Sequence, residues 1–375
     1  MGQEIAKRQL FSLGAVIALA PALRLFPTGT AQLAGRAAWI TPLLALPLLL
    51  GWAKALSLFL AERRGGEQLP DLLLRLGGKA ALVPLAVWAL VYTSFVLRSG
   101  ADRLVGTVYA GASPWVFAQA MGLLALWAAL GTPRALARVG RMLLPLLLGA
   151  LLLLLGLALF SADAGNLLPL TAGDLLPALQ GMVVPLDVLA GAGTALCFLA
   201  GGLREEGRDL FPPLALWCVG LCALLALMGA AVTGVFGAPL AASLPRSFFV
   251  LVRTLVFFRS VERVEALVVM LWIFPDFLTA SLFLWTAQYS LRLLCGYRPD
   301  TARRARTDLS DGRFLVWVCG AAAILGGVLL APTPAGLERW SATLIPAMNL
   351  GFVFGVLPII YIVGRRRAQE PPKSS

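Results

Sequence analysis

Ten stretches of this chain are each apolar over about the 20 residues that a helix needs to cross a lipid bilayer. The runs are continuous rather than alternating, which excludes a transmembrane β-barrel and predicts helices. We therefore expect an all-α polytopic membrane protein with about ten transmembrane helices. The ten segments span roughly residues 9–33, 38–60, 80–108, 114–131, 142–160, 179–200, 211–236, 264–291, 314–331 and 341–363.

The composition supports this class and excludes several functions. Hydrophobic residues make up 59% of the chain and charged residues only 13%, too few to cover a soluble protein of this length. There is no histidine, and the five cysteines lack metal-ligand spacing, so we expect no enzymatic activity, no metal and no cofactor. The net charge of +12 could suit nucleic acid. The basic residues lie mostly in short loops between apolar runs, however, and we expect no nucleic-acid partner.

The loop charges predict the orientation in the membrane. With ten spans both termini lie on one side, and a cytoplasmic N-terminus places 22 of the 31 basic residues on the cytoplasmic side. We expect residues 1–363 to form a single transmembrane bundle and residues 364–375 to be a basic, disordered cytoplasmic tail. On the outer side, residues 161–178 predict a short turn or helix, and residues 246–259 an amphipathic helix lying in the interface.

Two of the spans carry helix-breaking residues at corresponding positions. Pro21 lies near the middle of the first span, and the sixth reads VVPLDVLAGAG over residues 183–193. Five spans separate the two, so residues 9–160 and 179–331 would be two inverted repeats, with 341–363 as helix 10. Paired interruptions of this kind indicate the midplane site of an inverted-repeat transporter. The alternative is that Pro and Gly here are only kinks or packing notches.

Three ionisable residues lie deep in the predicted spans, where a charge is costly without a partner. Arg24 could recognise a carboxylate, or it could snorkel to the outer interface. Asp187 and Asp276 are candidates for binding an ammonium group or for proton coupling, and Asp276 is the deeper of the two. The predicted ligand site comprises Ala20, Pro21, Ala22, Arg24, Asp187, Ala190, Gly191, Gly193, Trp272, Asp276 and Thr279.

Four longer stretches resemble the spore-germination permeases, the B subunits of GerA-type germinant receptors within the amino acid–polyamine–cation transporter superfamily. They read AGRAAWITPLL (34–44), LRSGADRLVGTVYAGASPWV (97–116), GNLLPLTAGDLLPALQGMVVP (165–185) and VERVEALVVMLWIFPDFLTASLFLW (261–285). None is a catalytic signature, but their order and spacing extend over nearly the whole chain.

The resemblance implies a LeuT-like 5+5 bundle with broken helices 1 and 6. It also implies a small-molecule germinant, often an amino acid, bound at those breaks. Such a subunit works in the spore inner membrane or cell membrane with a larger membrane receptor subunit and a lipoprotein subunit, and signals to them to trigger germination.

The chain departs from the family pattern at the expected site. Members often carry a Gly-x-Gly-like motif in the first span, where this chain has Ala20, Pro21 and Ala22, and an acid near the position of Gly191. Asp276 and Thr279 stand where a glycine and often a lysine are expected. These changes leave the identity of the ligand open.

Other functions remain possible on the sequence alone. The main alternative is an ion- or proton-coupled amino acid transporter, for which Asp276, Thr279 and Ser281 could supply ligands. A purely structural scaffold would not explain paired breaks with acids beside them.

Overall fold

The structure is a computed structural model that describes residues 5–107, 111–203, 209–254, 264–297, 312 and 314–369. In this part of the chain the regular elements are helices, apart from one isolated parallel bridge between Ile5 and Leu203. The all-α prediction is therefore confirmed.

Fifteen α-helices are described. In chain order they are α1 (Lys7–Ala34), α2 (Thr41–Ala61), α3 (Leu69–Gly77), α4 (Lys79–Thr107), α5 (Pro114–Ala129), α6 (Pro133–Phe160), α7 (Leu175–Gly181), α8 (Val183–Leu196), α9 (Phe211–Ser243), α10 (Ser247–Thr254), α11 (Val264–Leu294), α12 (Leu315–Leu330), α13 (Pro334–Arg339), α14 (Ile345–Leu350) and α15 (Leu357–Gln369). Each of the ten predicted apolar segments coincides with one of these helices or with a run of consecutive ones.

Six described stretches are long and apolar enough to cross a membrane. They are Lys7–Ala61, Lys79–Gly106, Pro133–Phe160, Ala172–Gly202, Phe211–Ser243 and Pro334–Arg366, and the first of them contains both α1 and α2. Two shorter apolar helices, Pro114–Ala129 and Leu315–Leu329, lie between them in the chain. The protein is thus a polytopic integral membrane protein.

The first span is not interrupted where the sequence predicts. α1 runs through Ala20, Pro21 and Ala22, and all three residues are buried. Pro21 has no N–H, so the carbonyl of Ile17 loses its usual intrahelical partner, yet the backbone stays helical. The interruption predicted at this position is absent, and Pro21 is accommodated within a continuous helix.

The sixth span departs from α-helical geometry outside the predicted run. α8 is helical from Val183 to Leu196 and includes both Gly191 and Gly193, so the interruption predicted within residues 183–193 is absent. The changes lie at either end: a turn at Met182 separates α7 from α8, and a 3₁₀ helix follows over Cys197–Gly202. The reason is tertiary packing, because Gly191 lies against Asn349 and Gly193 against Trp52, both on other helices.

The last span is continuous but irregular. Two π-helical stretches, Trp340–Leu344 and Gly351–Val356, flank α14, and α15 then extends to Gln369. The helix therefore continues six residues past the predicted start of a tail at residue 364, and residues 370–375 lie outside the described part. Single π-helical turns inside longer helices often mark functional positions.

The outer connections follow the prediction in part. Two short 3₁₀ helices, Ala164–Asn166 and Ala172–Asp174, form the turn predicted over residues 161–178. The predicted interface helix is represented by α10, which buries Phe248 and Leu251 against the bundle. The remainder of that prediction, residues 255–259, lies outside the described residues.

The core forms around α1, which lies between α6, α8, α9 and α11, while α4 packs along α11. The buried residues are mainly Leu, Ala and Phe, and the large exposed apolar side chains lie on the periphery, where a bilayer would contact them. This arrangement places one face of each of α1, α4, α8 and α11 at the centre of the bundle.

Candidate ligand-binding site

Arg24 extends from α1 towards α4 at the centre of the bundle. Its Nη1 donates to the Ser99 hydroxyl across 2.9 Å, and the guanidinium carbon lies 4.4 Å from the centre of the Phe95 ring. Nε and Nη2 are shielded from solvent and make no hydrogen bond within the described residues. Arg24 therefore does not snorkel outward, and it presents these two donors inside the protein, where the Tyr92 hydroxyl interacts with the guanidinium.

Asp187 lies on α8, close enough to Arg24 for an electrostatic interaction. One of its oxygens accepts a 2.8 Å hydrogen bond from the Asn349 amide, and the Asn349 carbonyl accepts another at 2.8 Å from the Trp88 indole N–H. All three side chains of this chain of hydrogen bonds are at most 4% exposed. It links α4, α8 and α14 through polar groups that the membrane interior could not otherwise satisfy.

Gly191 and Gly193 explain why α8 can approach its neighbours so closely. A Cβ atom on Gly191 would stand 3.4 Å from the Asn349 amide nitrogen, and one on Gly193 only 2.3 Å from the Trp52 ring. The two glycines thus serve as packing notches, one for the polar contact with α14 and one for an aromatic ring of α2.

Aromatic side chains surround the Trp88 end of this polar cluster. Trp88 stacks on Phe352 with ring centres 4.4 Å apart and contacts Phe283 edge-on at 5.2 Å. Phe283 also contacts Tyr92, which lies next to Arg24, with ring centres 4.5 Å apart. An aromatic wall beside a cation and a carboxylate is typical of sites that bind small organic molecules.

A second polar cluster lies towards the predicted outer end of the bundle. Asp276 on α11 forms a buried ion pair with Arg103 on α4, and Trp272 lies one turn before it with its ring 6.0 Å from the Arg103 guanidinium carbon. The cavity between them is about 10 Å³, room for about one water molecule. Gly100 lines the same cavity and adjoins Ser99, the partner of Arg24, so the two clusters are neighbours.

Ion pairs and α10 lie over this cluster at the predicted outer end. Asp102 accepts from Arg246 across 2.6 Å and lies 3.5 Å from Arg98. Phe249 of α10 packs on Trp272 with ring centres 5.1 Å apart. Arg246 thus pairs with a carboxylate of the protein. These contacts close the predicted outer end of the bundle.

The opposite end is closed by contacts around the 3₁₀ helix that follows α8. The Ile5 N–H donates to the Gly202 carbonyl across 2.5 Å, and the Gln68 side chain accepts from the Gly201 N–H at 3.2 Å. Arg63 donates to the Ala200 carbonyl. These bonds satisfy backbone groups that the change from α to 3₁₀ geometry would leave open.

The predicted site residues thus fall into separate places. Arg24, Asp187 and Gly191 meet at the first cluster, and Trp272 and Asp276 form part of the second. Thr279 is fully buried, and its hydroxyl donates to the Pro275 carbonyl of its own helix at 2.7 Å. The others, which are apolar or lack a functional side chain, pack in the core of their helices: Ala20, Pro21, Ala22, Ala190 and Gly193.

Sequence reasoning missed four residues that complete these clusters. Arg103 and Ser99 lie in the third predicted span. A charged residue within a span is itself a signal of a functional position, so Arg103 could have been recognised from the sequence. Asn349 is an amide within the tenth span, and Trp88 is one aromatic among many. The partners of both lie more than 160 residues away along the chain, so spacing offered no signal for these pairs.

Comparison with known proteins places this geometry in context. The family model described as spore germination protein matches residues 4–302. Among 88 matching solved chains, the crystal structure of MhsT in complex with L-phenylalanine aligns with a TM-score of 0.67 at 16% identity, covering 97% of this chain and 89% of that one. A comparison with curated proteins found no match.

The likeness to MhsT confirms the predicted LeuT-like fold. At 16% identity this likeness concerns the fold alone.

Proposed function

Because this chain belongs to the spore germination protein family, as its sequence predicts, we propose that it is the nutrient-binding membrane subunit of a germinant receptor. The ligand is a small zwitterion of the amino acid class, held between α1, α4 and α8. The observation that carries this proposal is the Arg24 side chain, a buried cation that lies beside a buried carboxylate and two of whose donors meet no acceptor at hydrogen-bond geometry among the described residues.

The ligand's charges match the two residues. A carboxylate can accept a bidentate pair of hydrogen bonds from the Nε and Nη2 donors of Arg24, the strongest arrangement available to a guanidinium. An ammonium group can then face Asp187, whose partner Asn349 keeps the carboxylate oriented. The aromatic rings of Tyr92 and Phe283 would contact the ligand side chain.

Binding requires the bundle to open, because the described state is closed at its outer end. A ligand shifts such an equilibrium only if its affinity differs between the open and closed states. In the proposal this shift is the signal, which passes to a larger membrane subunit and a lipoprotein subunit in the spore inner membrane, with both termini of this chain in the cytoplasm.

The test is a thermal-shift titration of the purified protein in nanodiscs with the L-amino acids, starting with L-phenylalanine, the ligand of the MhsT structure. A ligand that binds the folded state raises the melting temperature with concentration. L-phenylalaninamide lacks the carboxylate, and 3-phenylpropionate lacks the ammonium group, so each removes one proposed contact. For whichever amino acid binds, the corresponding amide and deaminated acid should bind far more weakly.

Variants locate the site. Arg24→Met and Asp187→Asn should each abolish the shift, whereas Arg36→Met, which changes an exposed arginine that donates to the Pro169 carbonyl, should leave it intact. A shift that survives Arg24→Met in folded protein would refute the proposed site. Absence of any shift with the whole panel would refute binding by this subunit alone.

The second candidate is a coupled amino acid transporter, favoured by the LeuT fold itself. Uptake of the bound amino acid into liposomes under a proton or sodium gradient distinguishes the two. Accumulation driven by the gradient supports transport, and binding without uptake supports the sensor.

A further inference from the structure

A cavity of about 410 Å³ lies at the end of the bundle that contains Ile5, the predicted cytoplasmic end. Its walls are the last two turns of α2, the connection to α3, the 3₁₀ helix after α8 and the start of α9. The volume lies within the roughly 300–1,000 Å³ range of small-molecule sites. Neither polar cluster described above contributes to it.

The charges around this cavity are predominantly positive. Lys54, Arg63 and Arg64 line it, and Asp209 is the one carboxylate among its described lining residues. That carboxylate accepts the Phe211 N–H at 2.9 Å, so it is engaged at the start of α9. The described lining thus carries an excess of two positive charges.

The basic side chains differ in how they are held. Arg63 is fixed, because its Nε donates to the Leu60 carbonyl at 2.9 Å and its Nη1 to Ala200. Lys54 and Arg64 are exposed, and neither forms a salt bridge with a carboxylate of the described residues. The Lys54 ammonium lies 5.1 Å from the centre of the Phe211 ring, which holds it at the cavity while leaving its donors available.

The position of Lys54 sets a further constraint on the ligand. It lies seven residues before the end of α2, about 10 Å above the helix end, a depth at which a cation needs an anionic partner or must snorkel. Leu58, one turn further along the same face of α2, is 50% exposed, and Pro47, two turns before Lys54 on that face, is exposed as well. The cavity therefore joins a cationic pocket to an apolar strip that faces the bilayer.

We propose that this cavity binds the phosphate group of an anionic ligand, with Lys54 and Arg64 as its principal contacts. Basic pockets between helices at the cytoplasmic membrane surface are suited to phospholipid headgroups. The apolar strip beside Lys54 gives acyl chains a surface, so an inner-leaflet phospholipid such as phosphatidylglycerol is the source that the geometry favours over a free phosphate ester.

The experiment compares the protein in nanodiscs of phosphatidylcholine alone with nanodiscs that also contain phosphatidylglycerol. Native mass spectrometry counts retained phosphatidylglycerol, and melting temperature reports its effect. Lys54→Gln with Arg64→Gln should lower the affinity about thirtyfold, because each charge contributes about 1 kcal/mol. Lys54→Arg, which keeps the charge and the contact with Phe211, should retain binding and shows that position 54 tolerates substitution.

The matched control is Arg134→Gln with Arg138→Gln. It removes two exposed basic residues near the start of α6, on the same predicted side of the membrane and away from the cavity. A loss confined to the Lys54 and Arg64 variant supports the site. An equal loss in both variants, or none in either, overturns it. A titration with glycerol 3-phosphate in phosphatidylcholine nanodiscs tests the source of the phosphate group. Saturable binding that needs Lys54 would keep the phosphate site but identify its ligand as a free phosphate ester.

Discussion

The side-chain amide of Asn349 donates a hydrogen bond to Asp187 across 2.8 Å and so joins the last span to the sixth at the centre of the bundle. Asn349 occupies α14, which is flanked on both sides by π-helical stretches. Its carbonyl also accepts from Trp88, so one residue satisfies two buried polar groups on two other helices. A single amide thus couples three helices that surround the proposed ligand.

Asn349→Leu should destabilise the protein by about 2–6 kcal/mol, because it leaves the Asp187 carboxylate and the Trp88 N–H without this partner at roughly 1–3 kcal/mol each. The measurement is the melting temperature of purified protein in one detergent. Met348→Leu, a volume-conserving change at the preceding residue, should have little effect and serves as the control. Equal melting temperatures for Asn349→Leu and the wild type would show that the hydrogen bonds contribute nothing.

The spans of this fold were predictable from the sequence, whereas the partners within the site were not. Length and apolarity determine which segments cross a bilayer, so all ten correspond to helices. The ion pair between Arg103 and Asp276 joins residues 173 positions apart, and no pattern in one sequence connects them. Burial of Arg24 was one of two open alternatives, because a long side chain near a helix end can turn either way.

The predicted interruptions at Pro21 in α1 and at the glycines of α8 are absent for a related reason. Proline and glycine permit a break, but tertiary packing decides whether one forms. At Gly193 the absence of a Cβ makes room for the Trp52 ring, and at Pro21 only one hydrogen bond is lost from α1. The sequence pattern of a hinge and that of a packing notch are the same until the neighbouring helix is known.

Gly193→Ala should destabilise the protein by about 1–3 kcal/mol, because the new Cβ would lie 2.3 Å from the Trp52 ring and force it to move. In a Trp52→Phe background, which removes the outer ring atoms, the same substitution should cost less. Melting temperatures of the four proteins in this cycle give the coupling. Gly220→Ala, at a helical glycine with open space around it, is the control. Additive effects would contradict the contact.

Larger side chains at the same face of α8 should affect ligand binding. Gly191→Trp would displace Asn349 from Asp187, since even a Cβ there stands at 3.4 Å. We expect loss of the amino-acid-induced thermal shift with membrane insertion retained, as judged by extraction and gel filtration of the variant. An unchanged shift in a correctly inserted variant would separate Asn349 from the ligand site.

Asp276→Asn should be strongly destabilising, by about 3–5 kcal/mol, because it leaves the buried Arg103 guanidinium without this carboxylate. Replacing both partners with apolar residues, as in Arg103→Met with Asp276→Leu, should recover much of that loss, since no uncompensated charge remains. The four melting temperatures form a double-mutant cycle. A double variant as unstable as the sum of the two single variants would mean that the pair is not coupled.

Two carboxyl groups outside the spans should give opposite pH dependences of stability. They are Asp71, in the first turn of α3, and Glu67, just before that helix. Burial raises the pKa of Asp71 above its ordinary value, although hydrogen bonds from the Gln68 N–H and the Tyr289 hydroxyl oppose this, and the charge of Glu67 adds to the rise. Burial also acts to raise the pKa of Glu67, but its bonds with Arg75 and the Arg64 N–H outweigh that effect and lower it.

The native state therefore holds a proton on Asp71 more tightly than the unfolded chain does. Its contribution to stability is complete below the ordinary aspartate pKa of about 4 and is lost as the pH rises through the raised value. For Glu67 the sign is reversed, and its contribution is lost as the pH falls through the lowered value. Melting temperature against pH should lose the first dependence in Asp71→Asn and the second in Glu67→Gln, while Glu338→Gln, at an exposed residue of α13, should change neither. If the wild-type profile persisted in Asp71→Asn, the rise in its pKa would have no bearing on folding.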